Sequence, residues 1–117
     1  MKSVLIVDDQ EEIREILAFG FKEAGINVFE AGSADEALKI CQSQEIHCLI
    51  SDYLMPKKNG ADLVRALRDL EIQIPVFMMT GYLECPRQEL IDLKVQATVF
   101  KPFEPDELIL QVKKVIG

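Results

Sequence analysis

Five side chains spread through the sequence have the types needed for phosphate chemistry. They are the paired carboxylates Asp8 and Asp9, the lone carboxylate Asp52, the hydroxyl of Thr80 and the ammonium of Lys101. Three carboxylates brought together repel one another, and ionising all of them is costly without compensation. One ammonium leaves a formal charge of about -2. A divalent cation neutralises that excess, and hard oxygen ligands without histidine or cysteine point to Mg2+ before zinc. Such a cation and Lys101 would bind phosphate oxygens, with the Thr80 hydroxyl as a further donor. The phosphate is either a bound substrate or a group that becomes covalently attached. In the second case Asp52 is the candidate nucleophile, because a carboxylate can form an aspartyl phosphate and Asp52 stands alone. Asp8 and Asp9 are adjacent and suit metal holding better. Singly, each residue has an ordinary reading: a helix N-cap for Asp8-Asp9, a turn for Asp52 or Thr80, a solvated charge for Lys101.

Their positions argue against coincidence, since each one closes a short apolar run. Strands are expected at residues 4–7, 27–31, 47–51, 75–79 and 97–100, and each but the second hands the chain to one of these residues. Stretch 48–60, CLISDYLMPKKNG, is the clearest case. A buried strand tail delivers Asp52, then Pro56 and Asn59-Gly60, a pair suited to positive φ, make a turn, and a helical pattern restarts at Ala61. The edge strand at 27–31 is weaker, with Asn27 and Glu30 partly solvated.

Helical patterns fill the gaps. The first carries Ile13, Ile16, Leu17, Gly20, Phe21 and Ala24 on one face, with Gly25 as a left-handed cap and Ile26 as its apolar follower. Ser33 to Glu36 reads as a capping box for a second helix, whose apolar face is Ala34, Ala37, Leu38 and Cys41. The third, residues 61–70, turns Leu63, Val64, Leu67 and Leu70 inward. A short helix starts near Pro86, with Leu90, Ile91 and Leu93 partly facing the core. The last, 105–116, has Asp106 and Glu107 in its first turn and Leu108, Ile109, Val112, Val115 and Ile116 as its buried stripe. Strand-helix alternation repeated five times implies an α/β doubly wound five-stranded parallel sheet with helices on both faces. Ligands of such sheets bind at the carboxyl ends of the strands, where all five candidate residues fall.

Composition sets bounds. The chain has 117 residues, 49% of them hydrophobic, and is expected to be one domain, 1–117, with a proper core. The net charge of -7 disfavours direct nucleic-acid binding. No apolar run approaches the roughly 20 residues of a membrane span, and no export signal is expected. Cys41, Cys48 and Cys85 are an odd set, fitting a reducing, cytoplasmic setting. His47 is the sole histidine, and one lone ligand cannot close a metal site.

Over essentially its full length the chain resembles the receiver domain of two-component response regulators. The resemblance is carried by VDD at Val7-Asp8-Asp9, DYLMPKKNG from Asp52, MTG at Met79-Thr80-Gly81 and KPF at Lys101-Pro102-Phe103. It implies strand order 2-1-3-4-5 and a phosphorelay switch. Asp52 would take a phosphoryl group from a phosphohistidine on a histidine kinase or phosphotransfer protein. Asp9, Asp52 and the backbone carbonyl of Leu54 would be direct Mg2+ ligands, and Asp8 a ligand through water. Lys101 would be the phosphate counter-ion, before a cis bond to Pro102, and Thr80 the switch hydroxyl. Leu54 and Tyr82 would flank the entrance and tune hydrolysis. The kinase would dock beside the first helix, near Gln10 and Ile13. The output partner is not legible.

Two features depart from the family pattern. Thr98 stands where an aromatic is usual, three residues before the lysine; Phe100 shares its strand face and is expected to be packing. Lys94-Val95-Gln96-Ala97 precedes the last strand where a glycine is common. Three rival readings stand beside this one. A Mg2+-dependent aspartate-nucleophile phosphatase resembles a D-x-D pattern after its first strand and needs room for a substrate cap. A non-phosphorylated binding module would have no need of the intact acidic set. A flavin-binding protein would need a phosphate-cradling loop after the first strand.

Overall fold

The computed structural model describes residues 1–81 and 86–117. Among these, strands β1 (Ser3–Val7), β2 (Asn27–Ala31), β3 (Cys48–Asp52), β4 (Val76–Thr80) and β5 (Ala97–Phe100) alternate with helices α1 (Glu11–Glu23), α2 (Ala34–Ser43), α3 (Gly60–Asp69), α4 (Arg87–Asp92) and α5 (Pro105–Ile116). The sheet is parallel throughout, in the order β2-β1-β3-β4-β5. β1, β3 and β4 are buried at all five of their positions, which is why they read as continuous apolar runs. β2, at one edge, is exposed at Asn27 and Glu30.

The period of two divides the core. Leu5, Val7, Leu49 and Met78 pack with Ala37 of α2, Leu63, Val64 and Leu67 of α3 and Leu90 of α4. Val4, Ile6, Ile50, Phe77 and Met79 pack on the other face with Leu17 and Phe21 of α1 and Leu108 and Val112 of α5. Each helix therefore needs only one apolar stripe.

Several expected core positions are corrected by this geometry. Ile16, Leu70 and Ile91 are exposed. In α1 the buried face is Leu17, Ala18 and Phe21, which leaves Ile16 on the helix flank. Leu70 is the C-cap of α3, beyond the last turn that lies on the sheet. α4 has only six residues and buries Leu90 alone. Phe100, expected as packing, is also exposed, and the Arg87 guanidinium carbon lies 5.8 Å from its ring centroid. Tyr82 and Cys85 lie outside the described residues.

The helix ends also differ in detail. Ser33 accepts from the Glu36 amide, but Glu36 reaches back to the Gly32 amide, so the box there is not reciprocal. The reciprocal box is at α3, where Asn59 accepts from the Asp62 amide at 2.8 Å and Asp62 from the Asn59 amide at 2.9 Å. Asn59 has φ -85° and Gly60 is not left-handed; positive φ in that loop belongs to Lys57, at 70°.

α1, α3 and α4 end alike. The amides of Ile26, Ile72 and Val95 bond back to the carbonyls of Phe21, Leu67 and Leu90, after left-handed Gly25, Glu71 and Lys94. Arg68 braces the last two ends, donating to the carbonyls of Ile72 and Ile74 at 2.9 and 3.0 Å and of Leu93 and Lys94 at 2.9 and 3.3 Å. Lys94 is exposed, with φ 60°. A left-handed L residue costs about 1–2 kcal/mol, against roughly 0.5–1 kcal/mol for the extra chain entropy of glycine. Lys94→Gly is therefore expected to stabilise the protein by about 0.5–1 kcal/mol in urea melts. A loss of stability would contradict that reading of the turn.

Candidate phosphate and metal site

The sheet brings four of its strand ends to one edge. β1 runs out into Asp8 and Asp9, Asp52 is the last residue of β3, Thr80 the last of β4, and Lys101 follows β5. Asp8 accepts from the Gln10 amide at 2.9 Å and its own amide donates to Ala31 at 3.1 Å, so the turn after β1 is tied to β2. Gln10, not an aspartate, is the N-cap residue of α1, and it makes no side-chain capping bond. The paired acids are thus not a helix cap. The Lys101 amide donates to the Thr80 carbonyl at 2.9 Å, which brings the lysine's backbone beside the end of β4. The Lys101-Pro102 peptide bond is cis.

One oxygen from each of Asp8, Asp9 and Asp52 lies within 4.8 Å of the others. Asp8 is fully buried, Asp52 is 7% exposed, and Asp9 is exposed. Lys101 Nζ sits 3.1 Å from Asp52 Oδ1 and 3.7 Å from Asp8 Oδ2. Thr80 is buried beside them, and Leu54 is exposed on the loop after β3. A cavity of about 530 Å³ opens here, lined by Asp9, Gln10, Asp52, Leu54, Met55, Pro56, Gly81 and Lys101.

Burial pushes both Asp8 and Asp52 above the ordinary carboxylate range. For Asp52 the next contribution is the charge of Asp8, opposed by the hydrogen bond and the charge of Lys101; for Asp8 the Gln10 amide and Lys101 oppose the shift. Asp8 Oδ2 is buried and has no hydrogen-bond partner among the described residues. An orphaned carboxylate oxygen beside two further acids is costly in itself and suited to a cation. The donor set is all hard oxygen, so Mg2+ fits it.

The energetic consequence has a definite sign. A carboxyl whose folded pKa exceeds its unfolded value binds a proton more tightly when folded. Stability without metal therefore falls as pH rises from about 3.8 through the folded pKa, and the full penalty stands above that window. Asp8→Asn is expected to melt higher than the parent protein at neutral pH in EDTA, with the gap closing as pH falls through the window. Millimolar Mg2+ should reverse the ranking. An Asp8→Asn protein less stable than the parent in EDTA would show that the bonds Asp8 makes outweigh the repulsion it suffers.

Some residues at this site carried little legible signal. Met55 and Gln10 line the cavity, although the sequence marked Gln10 only as a docking position and Met55 only as part of the 52–60 motif. Arg14 donates from Nη1 to the Asp8 carbonyl at 2.7 Å, although in sequence it is one charge on an amphipathic helix. Gly60 packs so closely that an added Cβ would lie 2.7 Å from the Asp52 carbonyl oxygen.

A doubly wound parallel sheet in this strand order defines a class, the flavodoxin-like fold, here with a lysine-backed acidic cavity at its carboxyl edge. Residues 4–113 match the family model described as response regulator receiver domain, and the chain belongs to that family. It is 32% identical over 119 residues to the phosphate regulon transcriptional regulatory protein PhoB of Pseudomonas aeruginosa, covering 98% of this chain and 52% of that protein. It is 29% identical over 116 residues to the alkaline phosphatase synthesis transcriptional regulatory protein PhoP of Bacillus subtilis, covering 98% of this chain and 48% of that one. The chain thus spans about half the length of these curated relatives. Among solved structures, the chemotaxis protein CheY4 of Vibrio cholerae matches with a TM-score of 0.90 and 31% identity, covering 98% of each chain. The response regulator TrrA of Thermotoga maritima, in complex with Mg2+ and BeF, matches with a TM-score of 0.86 and 32% identity, covering 98% and 99%. The chain is therefore a signalling domain of the two-component type, and the phosphatase, inert-module and flavin readings are not favoured. No helix among the described residues is long and apolar enough to cross a membrane.

Proposed function

We propose that this chain is a phosphoacceptor switch in which Asp52 takes a single phosphoryl group and holds it as an aspartyl phosphate. The observation that carries the reading is Lys101 Nζ, 3.1 Å from Asp52 and 3.7 Å from Asp8, at the wall of an open cavity lined by Asp9 and Asp52, with Asp8 clustered beside them. The Asp52 carboxylate would attack phosphorus through one oxygen and keep the other for the cation. It displaces imidazole from a phosphohistidine of a histidine kinase or phosphotransfer protein as the P–N bond breaks. Lys101 then pairs with a phosphoryl oxygen. Asp9, Asp52 and the Leu54 carbonyl would hold Mg2+ directly, and Asp8 through water. Bound there, the ion supplies charge neutralisation and a fixed direction for the incoming phosphoryl group. Thr80 is the hydroxyl that turns to the phosphoryl group and passes the change to the surface around α4, β5 and α5. Thr98 offers no aromatic ring to that motion, so the surface change here is carried by other side chains. Leu54 stands at the mouth of the cavity and tunes water access, hence the lifetime of the phosphoryl group.

The domain promotes its own phosphorylation and dephosphorylation and turns over no separate substrate. The donor docks over Gln10 and Ile13, beside an apolar groove of about 460 Å³ between α1 and the Lys101–Pro105 segment, which accounts for the exposed Ile16 on that face. The relatives are named transcriptional regulators. For this chain, with net charge -7, the proposal is a protein-binding switch working in the cytoplasm, without direct DNA contact.

Incubation with acetyl phosphate and Mg2+, followed by intact mass, tests the reading. A gain of one phosphoryl group that EDTA prevents is expected. An unchanged mass, or repeated turnover of a small phosphomonoester, would overturn it.

A further inference from the structure

The turn that carries Asp8 and Asp9 faces a mechanical problem. It must press two carboxylates toward a third, and the repulsion among them drives it outward. Lys101 answers this from the β5 side of the cluster. On the opposite side, α1 and β2 meet at Arg14. Its Nη1 donates to the main-chain carbonyl of Asp8 at 2.7 Å, and its buried Nε, which makes no hydrogen bond among the described residues, is ion-paired with Glu30 Oε1 on β2 at 3.4 Å. The Arg14 side chain is only 18% exposed. Ala31, next to Glu30, accepts the Asp8 amide at 3.1 Å. Both sides of Asp8 are therefore tethered to β2, one directly and one through Arg14.

The bonded carbonyl belongs to the peptide that links Asp8 to Asp9. That peptide plane sets the direction in which the Asp9 side chain leaves the backbone. A guanidinium is a planar fork that can present one N–H to a carbonyl while the same fixed plane sets its delocalised charge against a carboxylate, which an ammonium cannot. We infer that Arg14 is a positioning residue of the phosphoryl-transfer site: braced by Glu30, it clamps the Asp8–Asp9 peptide so that the two carboxylates stay convergent on Asp52. The inference rests on the proposed function and adds to it a residue that touches neither cation nor phosphate.

Mg2+ affinity measured by calorimetry on folded protein tests it, together with hydrogen exchange of the Gln10 amide in metal-free protein. That amide donates to Asp8 Oδ1, so it reports the turn directly. Arg14→Ala is expected to weaken Mg2+ binding about tenfold or more, the usual scale for loss of an outer-shell partner, and to speed Gln10 exchange. Arg14→Lys keeps the charge but not the fork, and is expected to recover only part of either loss. Glu30→Gln frees the brace, and is expected to fall between Arg14→Lys and the parent protein. Lys22→Ala, which removes an equal charge about two turns further along α1, is expected to change neither. A purely structural Arg14 would lower the melting temperature and leave Mg2+ affinity as it was. Parent-like affinity and exchange in folded Arg14→Ala would overturn the inference, as would an equal loss in Lys22→Ala. Where Arg14→Ala does not fold, Arg14→Lys and Glu30→Gln carry the same comparison. If the parent protein itself neither binds Mg2+ nor gains a phosphoryl group, the functional reading has failed, and the metal-free exchange still decides whether Arg14 holds the turn.

Discussion

Asp52→Ala protein, incubated with acetyl phosphate and Mg2+, is expected to keep its starting mass while the parent protein gains one phosphoryl group. Removing a nucleophile leaves the bond to phosphorus with no oxygen to form it, so the expected loss is roughly a thousandfold or more in rate. The neighbours are poor substitutes. Asp8 is fully buried and its Oδ1 is engaged by the Gln10 amide, while Asp9, in the proposed site, would be held by the cation. Misfolding is not the expected source of the loss, because burial and the Asp8 charge both disfavour an ionised Asp52. Asp52→Ala should therefore melt at or above the parent temperature in EDTA, which separates lost chemistry from lost structure. Retention of a single EDTA-sensitive phosphoryl group in the variant would move the acceptor elsewhere.

Gly60→Ala is expected to be among the most damaging single-methyl additions in the chain. A Cβ there would lie 2.5 Å from Met78 Sδ, 2.7 Å from the Asp52 carbonyl oxygen and 3.1 Å from Met78 Cε. Met78 is fully buried and has little room to withdraw. The Asp52 carbonyl is backbone at the end of a central strand and cannot withdraw without moving the Asp52 side chain. The Gly60 amide also donates to Tyr53 at 2.7 Å, so the start of α3 is pinned to the loop it would have to leave. Overpacking of this kind costs about 1–3 kcal/mol, and both contacts here place it at the upper end. Urea unfolding should show that loss, and phosphorylation at saturating Mg2+ should slow because the Asp52 backbone has shifted. A variant within about 0.5 kcal/mol of the parent would mean that the strand end is softer than its contacts indicate.

The same glycine shows where sequence reading stops. Asn59-Gly60 is visible as a turn signal, and the signal suggests a need for positive φ. The structure uses Asn59 as a helix cap and keeps Gly60 for want of space against Asp52 and Met78. Positive φ went instead to Lys57, Glu71 and Lys94, where no residue type announces it. The apolar stripes of the helices show a related limit. Periodicity selects a face, but whether Ile16, Leu70 and Ile91 fall under cover depends on how far the sheet extends beneath each helix.

Much was nevertheless decided locally. Four-to-five-residue apolar runs, separated by helical patterns, dictate a parallel sheet covered on both faces, because each strand must bury both its sides and each helix only one. The same alternation carries Asp8, Asp9, Asp52, Thr80 and Lys101 to strand ends of one polarity, so their convergence follows from chain direction alone. Distance and exposure were decided only in three dimensions. Adjacent Asp8 and Asp9 have identical chemistry, yet one is fully buried and the other faces the cavity, since the chain turns between them. Arg14 is one more charge on α1 until the fold sets its guanidinium against the Asp8 carbonyl and Glu30. Local sequence sets backbone direction and apolar periodicity, which are short-range; contacts between segments distant in sequence exist only once packing has brought them together.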